Sequence, residues 1–448
     1  MSSNWPTFPL EECLDALIDY RGKTPTKTTS GVPLVTAKVI KAGRIETPTE
    51  FIAHEDFESW MRRGMPQPGD VVMTTEAPLG EVAQLGREKV ALAQRVITLR
   101  GKKDFLDNDY LLYLLLSEEM QDQLKARATG TTVLGIKQSE LRKISVTVPP
   151  FSIQQDAASV LKAIDSRIAI LRETNATLEA IAQALFKSWF VDFDPVHANA
   201  GNQTPSLPPE IQALFPATFT DSPHGLIPEG WKLVPFGDLL THTIGGDWGD
   251  ELPTEKNEVR VAIIRGTDLP DLAAGNAERV PLRYTSAKKL ASRKLQDGDL
   301  VLEVSGGSKD QPTGRSLYLT NGILSQFDCP MEPASFCRLL RPESQNISVV
   351  LAQHMTYIYA QGKTWEYQNQ STGISNFQTT HFLESERVVV PSDEVLKVFA
   401  ENVRPMIDRA HLTQISKLTA LRDTLLPRLI SGQLRLPEAE QAIAAITD

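Results

Sequence analysis

Two Gly-Lys-Thr triplets, Gly22-Lys23-Thr24 and Gly362-Lys363-Thr364, carry the most explicit chemical promise in this 448-residue chain. A loop with that ending cradles nucleotide phosphates when another glycine stands five residues before the triplet. Leu17 and Tyr357 hold that place, so neither triplet is such a loop. No G-x-G occurs, which removes the usual dinucleotide or methyl-donor loop. No E-x-K occurs, so the common nuclease pairing of carboxylate and lysine beside a metal is missing. No Pro-Pro-aromatic stretch follows an Asn or Asp, so the usual amino-methyltransferase pocket is missing too. The seven histidines, 54, 197, 224, 242, 354, 381 and 411, never take H-E-x-x-H or another metal spacing. These residues predict a chain without a catalytic or metal site of its own.

Composition narrows the class further. No run of eighteen apolar residues exists, so no membrane span is expected. Met1-Ser2-Ser3-Asn4-Trp5 has neither the basic flank nor the apolar run of a signal peptide. Cys13, Cys329 and Cys337 have no metal-type spacing and form no disulfide framework, and the cytoplasm is the expected compartment. The formal net charge is −10, which argues mildly against binding phosphates, although an acidic body can still carry a basic face.

The elements that position any site are arranged twice. Trp5-Pro6-Thr7-Phe8-Pro9-Leu10 returns as Trp231-Lys232-Leu233-Val234-Pro235-Phe236 at an offset of 226. Gly69-Asp70-Val71-Val72 returns as Gly298-Asp299-Leu300-Val301 at 229, Val148-Pro149 as Val390-Pro391 at 242, and Ile164-Asp165 as Ile407-Asp408 at 243. Offsets that only rise are the signature of loops growing between fixed landmarks of a duplication. Within each copy, short apolar runs bounded by Gly and Pro read as strands: Val32–Val35, Asp70–Met73 and Arg95–Leu99, then Val261–Ile264 and Leu300–Leu302. Helices are expected over Asp109–Arg127 and Val349–Ala360.

Each copy ends in a long helix. Ala157, Leu161, Ile164, Ile168, Leu171, Asn175, Leu178, Ala182, Leu185 and Trp189 alternate in steps of four and three, a heptad seam spanning ~50 Å at 1.5 Å per residue. Asn175 is its polar position, which penalises wrong registers. The second helix is expected over Leu396–Ile430, with Val403, Ile407, Ile415, Leu418, Leu421, Leu425 and Leu429 on a less regular stripe and a last turn bent or broken at Pro427. Two such stripes can bury each other. The expected fold is α+β: two similar globular domains, 1–150 and 231–392, separated by a long antiparallel two-helix coiled coil, 151–193 and 393–436, with a pseudo-two-fold internal repeat. The Pro-rich segment 194–230 is a connector and 437–448 a C-terminal tail.

With those elements placed, the chain resembles the specificity subunits of Type I restriction-modification systems. The resemblance rests on the opening Leu14-Asp15-Ala16-Leu17-Ile18-Asp19-Tyr20-Arg21-Gly22-Lys23-Thr24-Pro25 and on Ile164–Asp194 with its Leu185-Phe186-Lys187-Ser188-Trp189-Phe190-Val191-Asp192-Phe193 ending. It extends to Leu207-Pro208-Pro209-Glu210 and Gly225–Trp231, to Gly245-Gly246-Asp247-Trp248-Gly249 with Val261–Asp268, and to Leu425–Gly432. It implies two target-recognition domains, each reading one half of an asymmetric interrupted sequence in double-stranded DNA. It implies helices that set the half-site spacing and dock two methyltransferase subunits, joined by restriction subunits. Catalysis, with its methyl donor, ATP and Mg, would then reside in those partners, and this chain would hold no cofactor. Two other readings fit the residues: the reader of a related two-subunit enzyme whose partner both cuts and methylates, and a coiled-coil protein scaffold that binds no DNA.

Donor-bearing residues near loops are the candidates for DNA contact. In the first domain they are Arg21, Lys23, Thr24, Thr74, Thr75, Thr131, Thr132 and Lys137. In the second they are Arg265, Lys309, Arg315, Lys363, Trp365, Gln370, Ser371 and Thr372. Arg and Lys suit phosphates or a guanine edge, and Gln and Thr can read bases. The loop Arg21–Pro25 has Gly245–Gly249 as its counterpart, without the basic residues. Arg167, Arg172, Lys187, Arg404, Arg409 and Arg422, away from the seam, are candidates for partner contact.

Overall fold

The computed structural model describes residues 5–41, 43–307, 311–371 and 374–434, with Glu438. It divides into two compact units, 1–168 with 417–448, and 169–416.

The first unit is built on a four-stranded antiparallel sheet in the order Leu14–Asp19, Val96–Gly101, Val71–Thr75, Leu79–Gln84. A three-stranded sheet places Val32–Val35 between Phe51–Ile52, antiparallel, and Ala91–Leu92, parallel. Thr7–Pro9 pairs with Ser145–Thr147 and closes the domain. The second unit repeats every step. Its four-stranded sheet runs Leu240–Gly245, Cys337–Pro342, Leu300–Glu303, Ser316–Tyr318. Its three-stranded sheet places Val259–Ile264 between an antiparallel Leu282–Thr285 and a parallel Met331–Pro333. Lys232–Pro235 pairs with Arg387–Val390 as the closure.

The Gly-Asp landmark has a structural cause. Gly69 and Gly298 sit at φ +88° and +90°, a region closed to most side chains. The next residue, Asp70 or Asp299, is buried. Its carboxylate takes the N–H of Gln67 or Gln296 at 2.7 Å in each copy. Arg100 then grips Asp70 through Nε and Nη2, both at 2.7 Å, and Arg341 grips Asp299 at 2.8 and 2.7 Å. A forked guanidinium–carboxylate pair of this kind fixes geometry as well as charge. It locks the turn before one central strand to the neighbouring strand, identically in both domains.

Alternation on the strands partitions the second domain's cores. Leu300, Leu302 and Leu340 pack into an aromatic-rich cluster with Phe236, Phe382 and Phe399, while Val301, Leu317 and Leu339 face Ala262 and Ile264.

Three helical expectations are corrected. Asp109–Arg127 is two helices, Asn108–Leu116 and Glu118–Ala126. Ser117 lies between them in extended conformation, and its hydroxyl accepts from the N–H of Met120, so it starts a new helix instead of continuing the old one. Leu396–Ile430 is also two helices, Asp393–Ala410 and Gln414–Ile430. A heptad step from Ile407 lands on Gln414, whereas the buried residue is Ile415, so the stripe changes phase where the helix stops. His411 is buried in that gap, 3.3 Å from Thr320 Oγ1, and burial, helped by Arg404, holds its imidazole down at about 4. The last helix runs through Pro427 to Ile430 instead of breaking there. By contrast the long helix, Phe151–Phe190, is continuous. Leu161, Ile164, Ile168, Leu171, Ala182 and Trp189 are buried, as are Val403, Ile407, Ile415, Leu418 and Leu425, and Leu178 and Leu185 are half-buried. Asn175 is half-buried too and donates to the carbonyl of Ala410 at 3.0 Å, filling an acceptor that a helix end leaves open.

The connector is folded. It forms helices Asp194–Asn199 and Pro209–Gln212 and a hairpin, Phe219–Ser222 with Gly225–Pro228. Val196 and Phe215 join the second unit's aromatic cluster, with Phe215 edge-on to Trp189 at 5.0 Å. Asn199 and Gln212 tie its loops to main-chain carbonyls at 2.6–3.0 Å.

Candidate nucleic-acid interface

In the first domain the strand Leu14–Asp19 ends in a turn at Arg21-Gly22, with Gly22 at φ +98°. Asp19 accepts from the N–H of Arg21 at 2.9 Å, and the Arg21 guanidinium donates to the carbonyl of Ile136. Arg63 donates to the carbonyls of Asp19 and Arg21 at 2.9 and 2.6 Å. Lys23 and Thr24 are exposed, and Thr24 bonds Gln94 at 3.0 Å. Beside Gln94, Arg95 pairs with Glu76 at 2.8 Å. Glu76 bridges Gly135, whose own exchange with Thr129 (2.8 and 2.9 Å) closes a short hairpin. Thr131, Thr132, Val133 and Leu134 form its exposed tip, and Lys137 is exposed just beyond. Arg21, Lys23, Thr24 and the hairpin therefore share one neighbourhood, together with Arg63, Gln94 and Arg95.

Thr74 and Thr75 are a correction. Both are buried. Thr74 Oγ1 accepts from the N–H of Glu81 at 2.9 Å, and Thr75 donates to the carbonyl of Arg95 from N–H and hydroxyl. They hold the sheet to the loops and do not face solvent. Nothing in the sequence marked Gln94 and Arg95, because only the pairing of Val96 with Thr74 brings them to the hairpin.

In the second domain the equivalent loop, Gly245–Gly249, is tightly held. A Cβ on Gly246 would lie 2.1 Å from the carbonyl oxygen of Pro333, and Asp247 N–H bonds that same oxygen at 3.0 Å. The loop lacks cations of its own, but Lys289 pairs with Asp247 at 2.8 Å, Arg293 donates to the Gly245 carbonyl at 3.0 Å, and Arg283 lies 5.3 Å from the ring of exposed Trp248. The basic run Arg283, Lys288, Lys289 and Arg293 was visible in the sequence, and its distance from the loop hid its place. Beneath lies Glu332, buried and with neither carboxylate oxygen hydrogen-bonded. Burial, then the charge of Asp247, pushes its carboxyl up to about 7, against the pull of Arg293 and Lys289.

Arg265, Arg315 and Lys363 are not free donors, which corrects their assignment as ready DNA contacts. Arg265 forks Asp268 at 2.9 and 2.7 Å and Arg315 forks buried Glu303 at 2.9 and 2.6 Å. Lys363 pairs with Glu386 at 2.7 Å. Burial works against ionising Glu386, but His354, Lys363 and Tyr367 overcome it and hold its carboxyl at about 2. Trp365 is exposed at the turn leading into a second hairpin, Gln368–Ser371 with Ile374–Phe377, which pairs with Ser305–Gly306. Gln370 and Ser371 lie on its first strand. Lys309 and Thr372 lie outside the described residues. Arg404 and Arg422, proposed for partner contact, turn inward: Arg404 bonds Asp297, Asp408 and Tyr318, and Arg422 bonds Asp165 at 2.9 Å.

Residues 3–180 match the family model described as Type I restriction modification DNA specificity domain. The chain is 25% identical over 374 residues to the Type I restriction enzyme MjaIX specificity subunit of Methanocaldococcus jannaschii, covering 83% of this chain and 78% of that one. It is 25% identical over 380 residues to the Type I restriction enzyme HindI specificity subunit of Haemophilus influenzae, covering 73% and 77%. The crystal structure of a Type I restriction-modification S subunit from M. genitalium shares the fold, with a TM-score of 0.57 at 16% identity over 95% of this chain and 96% of the other. Residues 3–180 thus match that specificity domain, and the chain as a whole is similar to Type I specificity subunits. Among the described residues no helix is long and apolar enough to cross a membrane.

Proposed function

We propose that this chain is the DNA-reading, non-catalytic specificity subunit of a Type I restriction-modification complex, and that each of its globular domains reads one half of an asymmetric, interrupted DNA sequence. The helices hold the halves at a fixed spacing and dock two methyltransferase subunits, with restriction subunits joining the assembly. The observation that carries this reading is the duplication itself. Two domains with one strand order and one Asp–Arg clasp present unlike loops, Arg21–Pro25 and Gly245–Gly249, at the same place. A repeated scaffold with altered loops suits two related tasks on different sequences.

The helices support the spacer role within each unit. In the second, Asn175 meets Ala410 while Phe186, Trp189 and Phe190 meet Phe399, so later residues of the long helix pair with earlier ones of its neighbour. That is antiparallel packing. In the first unit Asp165 of the long helix meets Arg422 of the last helix at 2.9 Å.

The test is to co-express the chain with its methyltransferase subunit and map methylated adenines in the host DNA. A bipartite, non-palindromic motif is expected, and exchanging residues 1–150 for another such domain should change one half alone. A continuous motif, or a change in both halves, defeats the reading.

A further inference from the structure

The hairpins Thr129–Gly135 and Gln368–Phe377 occupy one position in the repeat. In each domain the hairpin pairs with the residue six places beyond the clasp aspartate, Glu76 after Asp70 and Ser305 after Asp299. Neither Thr129–Ile136 nor Gln368–Phe377 contains a charged residue, and both are rich in hydroxyls and glycine or amides. The polar side chains described at the second hairpin's base are consumed internally. Gln368 accepts from Thr313 N–H at 3.0 Å and donates to Ser375 at 2.8 Å, and Asn376 bonds Ser305. The first hairpin is fixed by its main chain, and a Cβ on Gly130 would lie 2.1 Å from the carbonyl oxygen of Val133.

We propose that these hairpins are sequence-independent arms that grip the sugar–phosphate backbone of duplex DNA beside each half-site, leaving discrimination between bases to the loops 21–25 and 245–249. This rests on the reading of the two domains given above. Phosphate oxygens are acceptors, and hydroxyls and main-chain N–H groups are donors that bind them without regard to sequence. With Gln368 and Asn376 already paired, the base of the second hairpin has little left to read a base edge. Val133 and Leu134, 54% and 43% exposed at the tip, offer an apolar face suited to the deoxyribose. Lys137, exposed at the foot of the first arm, complements the phosphates.

The test uses the chain purified with its methyltransferase subunit, comparing Thr131→Ala/Thr132→Ala with wild type on duplexes carrying the methylated motif or a scrambled one. Both duplexes should bind about tenfold more weakly, since a hydrogen bond to a charged group is worth at least that factor, and the methylated motif should be unchanged. A motif altered in its first half, weakening on the target duplex alone, or loss of the methyltransferase subunit from the complex overturns the proposal. On the DNA side, duplexes with single neutral methylphosphonates should weaken wild-type binding at positions where the variant loses nothing further. If no position separates the two proteins, the arm does not hold phosphate. A wild-type complex with no bipartite motif defeats the two-domain reading instead, and the scrambled-duplex comparison still decides the arm.

Discussion

The two domains share one strand order and one clasp, yet the helices packed with them are filled with different materials. In the first unit the last helix contributes the aliphatic Leu418, Leu421, Leu425 and Leu429. In the second the long helix contributes Phe186, Trp189 and Phe190, gathered around Phe399 at ring distances of 4.7–6.4 Å. Trp231 and Phe215 extend that cluster into the folded connector. The added aromatic area lies where the chain must also anchor residues 194–230. The difference teaches that the duplication was preserved in topology while the core was refilled according to what each copy has to hold.

Breaking that aromatic cluster is expected to give the largest effect. Phe399 is buried and touches three rings, so Phe399→Ala should cost about 4 kcal/mol. Calorimetry of the purified complex should show the transition of the second unit moved down by many degrees, with the first unit's transition in place. Equal displacement of both would mean that the units do not unfold independently.

The clasp tests sameness. Arg100→Ala and Arg341→Ala each leave a buried aspartate that has lost its cation, and each should cost about 3 kcal/mol. Equal losses, read from denaturant midpoints assigned to each domain, are what an identical device demands. A clear inequality would locate a compensating contact in one copy.

How much of this was legible beforehand follows the range of each interaction. Gly69-Asp70 and Gly298-Asp299 announced the repeat because their turn geometry is local. Arg100 and Arg341 were silent, because their partners lie 30 and 42 residues away and only strand pairing joins them. The helix break at His411 left a trace in the irregular stripe, whereas Ser117 read as one more polar residue inside a helix. The candidate contacts fared by the same rule. Arg21, Lys23, Thr24 and the hairpin tip were legible as loop donors, while Thr74 and Thr75 looked like loop donors and are strand residues facing inward. Arg265 and Arg315 were legible as cations, but the carboxylates that claim them were not. Connector prolines suggested a passive tether, since proline content says nothing of where Phe215 and Trp231 dock.

A smaller effect should come from the position that distinguishes the three-stranded sheets. Ala91 pairs with Leu34 in the first, and Glu332 pairs with Ile263 at the same place in the second. The fold accepts an aliphatic residue there, so Glu332→Leu should stabilise the second domain by roughly 2 kcal/mol near neutral pH. The pH dependence has a definite sign. The carboxyl titrates near 4.5 in the unfolded chain and about 7 when folded. Between those values the folded state keeps a proton that the unfolded state has lost, so wild-type stability falls as pH rises. The gain from Glu332→Leu should therefore be smallest at pH 4, grow through the interval and level off above pH 7. A gain independent of pH would mean that the carboxyl is not neutral in the fold.

The smallest effect concerns the seam. Asn175 is the polar position of the long helix, and the offset of 243 that relates Ile164 to Ile407 puts Leu418 at that place in the other copy. Asn175→Leu trades the hydrogen bond to the Ala410 carbonyl for apolar burial. The lost bond is worth about 1 kcal/mol and a half-buried leucine returns a similar amount, so the net change in stability should stay within about 1 kcal/mol. The consequence should appear in specificity of packing, because an amide that donates to one carbonyl penalises neighbouring registers and a leucine does not. Cysteines introduced in place of Leu178 and Ile407, two residues lining one cavity of the second unit, offer a readout. Crosslinking with a short reagent should give one product when Asn175 is kept and a weaker, heterogeneous pattern in the Asn175→Leu variant. An unchanged pattern would show that the aromatic cluster around Phe399 alone fixes the register, and that the polar seam position serves only to fill an open helix end.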